Sequence, residues 1–126
     1  MEYLNVSAMT GMIMASVVRS QHDSNDALVF TTVDGRVFKL FHNQDCCENV
    51  DIEDIAGDLS DLVGAPLLQS EEVSSDPPAR DPTDYEPDSE TWTFYKFATV
   101  KGYVTVRWYG TSNGYYSESV DFAEFT

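Results

Sequence analysis

Seven consecutive residues, His42-Asn-Gln-Asp-Cys-Cys-Glu48, bring together an imidazole, two thiols and two carboxylates. Zinc accepts all of these ligand types, but adjacent cysteines rarely both reach one tetrahedral ion, and His22 is the only other histidine. A cysteine nucleophile needs a base and an electropositive setting, and Asp45 and Glu48 flank the thiols with negative charge instead. Neighbouring side chains in extended chain diverge, so Cys46 and Cys47 could join only as a strained vicinal bridge. Reduced thiols that pack as small hydrophobes are therefore expected, at a strand-to-helix junction where Asp45 accepts backbone hydrogen bonds. In a strand, His42 shares a face with Phe38 and Leu40.

A second constellation lies in Tyr103-Val-Thr-Val-Arg-Trp-Tyr-Gly110. Strand alternation puts Val104, Val106 and Trp108 on a core face, and Tyr103, Thr105, Arg107 and Tyr109 on the other. One reading of the outer set is cross-strand packing, with Arg107 paired to Glu118 across an Asn113-Gly114 hairpin. The other is a ligand platform, in which Tyr103, Arg107, Tyr109, Asn113 and Tyr115 stack on a base and grip a phosphate. The acidic stretch Asp51–Gly64 lacks the alternating oxygens and closing Glu of a calcium loop. With no phosphate-cradling loop, nucleophile elbow or paired-His motif, the sequence predicts no enzyme, no cofactor and no metal.

Strands must position these groups. Met12–Arg19, Ala27–Val33, Arg36–His42 and Leu67–Val73 have strand character, and Asp34-Gly35 suits a type I′ hairpin turn. Ile52, Ile55, Leu59, Leu62 and Val63 recur at three- and four-residue steps, the period of a helix capped by Asp51. Thr91–Val100, Tyr103–Gly110 and Tyr115–Phe125 complete the pattern. The expected fold is α+β: an antiparallel sheet of five or six strands, one short helical segment, and a mobile acidic, proline-rich loop over 74–91. All 126 residues fit one domain.

Charge narrows the partners. The chain carries 22 acids against 7 bases, a net −15, and fifteen of the acids lie between Asp45 and Glu90 with Arg80 the sole base there. Such a field repels nucleic acid and anionic membranes and attracts basic surfaces. No apolar run approaches the ~20 residues that span a bilayer. The N-terminus lacks the basic start of a signal peptide, so a soluble intracellular protein is expected.

The blocks HNQDCCE, IEDIAGDLSDLVGAP and WTFYKFATVKGYVTVRWYGTSNGYYSESVDF resemble an uncharacterised domain family of tailed phages and prophages, over roughly residues 27–123. That resemblance implies a phage origin and a host-cytoplasm setting, and supplies no site residues. Together with the charge, it leads to an expected phage accessory protein that binds and inhibits a host protein with a basic surface, as an anti-defence inhibitor that mimics nucleic acid. The acids expected to contact the partner are Asp45, Glu48, Asp51, Glu53, Asp54, Asp58 and Asp61. The alternative is a sponge for a nucleotide signal, built on the Tyr/Arg face. Oligomeric state is left open.

Overall fold

Alternating large apolar residues build two antiparallel sheets around one core. The computed structural model describes residues 1–75 and 89–125. The first sheet contains β1 (Glu2–Tyr3), β2 (Met14–His22), β3 (Asn25–Thr32), β4 (Val37–Phe41) and β9 (Asp121–Glu124), in the order β1-β9-β4-β3-β2. The second contains β5 (Asn49–Ala56), β6 (Gln69–Ser75), β7 (Ser89–Thr99) and β8 (Gly102–Ser112), in the order β5-β8-β7-β6. Leu28, Phe30, Phe38, Leu40 and Phe122 of the first sheet share a core with Ile52, Tyr95, Phe97, Val106 and Trp108 of the second. The Phe30 and Phe97 rings meet across the sheets at 5.2 Å.

The fold is therefore nearly all β, and the expected α+β architecture with one sheet is overturned. The period-three signal at 52–55 has a different cause. β5 pairs Ile52 with Trp108 and Asp54 with Arg107, so one extra residue bulges out of the strand. The bulge sends both Ile52 and Ile55 toward the core, which reproduces a helical step within a strand. Within 51–64 only Leu59–Leu62 turns, as a 3₁₀ segment, and its cap is Asp58, not Asp51. β2 uses the same device between Met14 and Ser16.

The hairpin expected at Asp34-Gly35 forms, with Phe30 opposite Phe38. Its turn type differs: only Gly35 has positive φ, and the Thr32 N–H donates to the Arg36 carbonyl around a three-residue loop. The two-residue turn with both φ values positive is Asp23-Ser24, at 51° and 69°. The Asn113-Gly114 hairpin is absent. β8 lies between β5 and β7, and the chain crosses after Ser112 to pair β9 with β4 and β1 in the other sheet. Tyr115–Val120 are accordingly not strand, because β5 and β7 already occupy both edges of β8. Of the loop expected over 74–91, Ser74 and Ser75 end β6, and Ser89, Glu90 and Thr91 begin β7. Residues 76–88 lie outside the described residues.

β5 is an edge strand, and its exposed backbone is covered by side chains. The Ile52 N–H donates to the Asp26 carboxylate at 3.1 Å, and Arg19 Nη2 donates to the Ile52 carbonyl at 3.2 Å. Arg19 and Asp26 are themselves bridged at 3.0 Å. The pair stands in for an adjacent strand at the centre of β5 and blocks edge-to-edge pairing there.

Candidate functional site

The 42–48 segment leaves β4 and turns back so that its two ends meet. His42 Nε2 lies 3.1 Å from Glu48 Oε1, and both side chains are almost wholly buried. His42 Nδ1 lies 2.7 Å from the Ser119 carbonyl. Both ring nitrogens thus have an oxygen atom within hydrogen-bond distance. The Glu48 carboxylate also accepts the N–H groups of Asp45 at 2.6 Å and Cys46 at 3.2 Å. Burial opposes its charge, but these backbone donors, its own N–H and the His42 ring outweigh burial and hold the carboxyl down at about 2. Gln44 fastens the outside of the turn: its Nε2 donates to the carbonyls of Cys46 and Glu48, and its Oε1 accepts from Asn25.

This geometry corrects three expectations. Glu48 is buried against His42, so it presents no surface to a partner protein. The backbone donors go to Glu48, while Asp45 points to solvent. Cys46 and Cys47 are exposed, not packed, and their sulfurs are bonded to each other. The turn, unlike extended chain, puts both side chains on one side. Among the described residues, no three His, Cys, Asp or Glu side chains cluster closely enough to hold a metal ion.

The remaining acids divide by role. The Asp51 carboxylate accepts the Asp26 N–H at 2.9 Å and is half-buried. Asp61 is half-buried against Gly102. Glu53 accepts from Arg107 at 3.0 Å. Asp58 caps the 3₁₀ turn, and the N–H and hydroxyl of Ser60 lower its carboxyl below the usual range. Glu53, Asp54 and Asp58 are exposed, on β5 or just beyond its end, so the edge of the second sheet is lined with negative charge.

On the outer face of the same sheet, Arg107 sits 5.4 Å above the Trp92 ring, and Trp92 packs against Tyr109 at 4.4 Å. Tyr109 donates to Glu90 at 2.7 Å. The alternation expected for β8 is correct: Val104, Val106 and Trp108 are buried, and Tyr103, Arg107 and Tyr109 face outward. The expected five-residue platform does not assemble. Tyr103 and Ser112 close opposite ends of β8, roughly 30 Å apart at the rise of a strand, and Asn113 and Tyr115 lie beyond Ser112. Glu118 is buried and accepts from Thr91 and Ser112, so it is not Arg107's partner. Trp92 and Glu90 complete the cluster, and sequence reasoning missed them because both faces of β7 carry aromatic residues. An open cavity of about 220 Å³ lined by Asn49, Asp51, Ile52, Glu53, Tyr109 and Thr111 joins this face to the acidic edge.

Among the described residues, no helix is long and apolar enough to cross a membrane. A family model described as a domain of unknown function (DUF7448) matches residues 8–122. No curated protein and no solved structure matches the chain.

Proposed function

The chain belongs to this domain family of unknown function, and we propose that it is a binding protein without catalytic activity that docks the acidic β5 edge onto a basic surface of a partner protein. One observation carries the reading: Glu53, Asp54 and Asp58 are gathered and exposed on one sheet edge, beside the Arg107–Tyr109 face. The −15 net charge steers such an encounter. The resemblance of the sequence blocks to phage proteins supports a host protein as the partner, such as a defence enzyme whose nucleic-acid channel the carboxylates would occupy as mimics of phosphate. The setting would then be the host cytoplasm, with no direct contact to nucleic acid.

Affinity capture from bacterial lysate at low and high salt tests this, with Asp54→Lys/Asp58→Lys for comparison. A basic partner lost at high salt and lost by the double variant is the expected result. A partner held equally by the variant and at every salt concentration refutes the acidic edge.

A second reading has its own observation. Trp92 Nε1 and Arg107 Nε are buried without a hydrogen-bond partner among the described residues. A nucleotide signal could use them, provided its phosphate displaced Glu53 from Arg107. Titration calorimetry against cyclic nucleotides and ADP-ribose derivatives tests it, and a silent panel removes it.

A further inference from the structure

We propose that Cys46 and Cys47 form an exposed dithiol–disulfide site for small thiols, and that the buried His42–Glu48 pair senses its state. The proposal is independent of the docking edge. Both cysteines are exposed, and they are joined as a disulfide. A thiolate can therefore reach either sulfur without opening the core. Attack breaks the S–S bond, forms a mixed disulfide with one cysteine and releases the other as a thiolate that takes up a proton. A second small thiol then attacks the mixed disulfide. The balance is one protein disulfide plus two small thiols giving two protein thiols plus one small disulfide.

The surroundings select the reagent and transmit the result. Asp45 stands beside the pair on a chain of net charge −15, so anionic thiols are repelled and cationic ones attracted. Cys46 is tied down at both backbone groups. Its N–H donates to Glu48, and its carbonyl accepts from Gln44, which also bonds Asn25. A change in the turn geometry at Cys46 thus reaches Glu48, through it His42 and the Ser119 carbonyl, and by the other route Asn25.

Native protein treated in turn with cysteamine and cystamine, then alkylated and weighed, tests the site. Two alkyl groups after cysteamine and none after cystamine, reversibly and without denaturant, is the expected result. Exchange with cysteamine should outpace exchange with glutathione by about 3–10-fold at low salt, and the gap should narrow at high salt. Thiols that alkylate only in denaturant, or that stay free after cystamine, overturn the proposal. Cys46→Ser and Cys47→Ser should each trap one mixed disulfide and not cycle. In amide NMR spectra of the two states, shifts at His42, Glu48, Ser119 and Asn25 are expected. Shifts confined to Cys46 and Cys47 overturn the coupling to the interior.

Discussion

A carboxylate shut away from water normally gives up its charge; Glu48 keeps its charge because four donors converge on it. Its folded value of about 2 lies below the ordinary 4.5, so ionised Glu48 stabilises the fold. That contribution is complete above about 4.5 and is lost as pH falls from there through about 2. Thermal unfolding between pH 6 and pH 2 should show a steep acid limb, and Glu48→Gln should flatten it. At pH 7 the same variant should cost about 2–4 kcal/mol in a denaturant titration, because the Asp45 and Cys46 N–H groups and the His42 ring lose the buried carboxylate they bond. His42 was legible in the sequence, since strand alternation places it with Phe38 and Leu40. Glu48 was not. Cys46, Cys47 and Asn49 around it set no alternation, so no pattern marked which carboxylate turns inward, and most of the donors that hold it come from backbone geometry.

Among the elements, apolar alternation was legible wherever a strand is regular. In β4, Phe38 and Leu40 are buried with the following His42, and in β8 Val104, Val106 and Trp108 are buried, as the spacing implied. The misread element was β5, where a bulge converts a two-residue period into a three-residue step. The crossing to β9 was hidden because Asn-Gly favours a hairpin locally, whereas β8 has both edges taken. Gly57 ends β5 at φ +110°, and a Cβ there would meet the Tyr103 carbonyl oxygen at 2.3 Å. Gly57→Ala should therefore cost more than about 2 kcal/mol, while Gly114→Ala, at φ +91° in open space, should cost about 1 kcal/mol. Chemical denaturation of the two variants makes the comparison. At the other hairpin, Asp23→Asn with Ser24→Gly suits a turn that needs both residues at positive φ, and should stabilise by about 1 kcal/mol.

For the whole molecule, charge and edge protection act together. The −15 net charge favours dispersal in solution but strains the folded state by self-repulsion. Melting temperature should rise as sodium chloride goes from about 10 mM to about 200 mM, the range over which screening takes hold. A fall over that range would mean that specific ion pairs outweigh the net charge. Screening also removes the repulsion that keeps copies apart, so the Arg19–Asp26 clamp on β5 should matter most there. Asp26→Ala should lower the melting temperature and, at high salt, move the protein to larger species in size-exclusion chromatography. Composition made the acidity plain, whereas the clamp reaches from β2 and β3 to Ile52 in the other sheet, a contact with no local trace in the sequence.

The bracket around the His42 ring also gives the molecule an internal clock. Its ring nitrogens are enclosed by Glu48 and the Ser119 carbonyl, so protons on them can trade with solvent only when that enclosure parts. Their exchange lifetime in nitrogen-edited spectra would therefore time the opening of the molecule at this corner, with no probe attached.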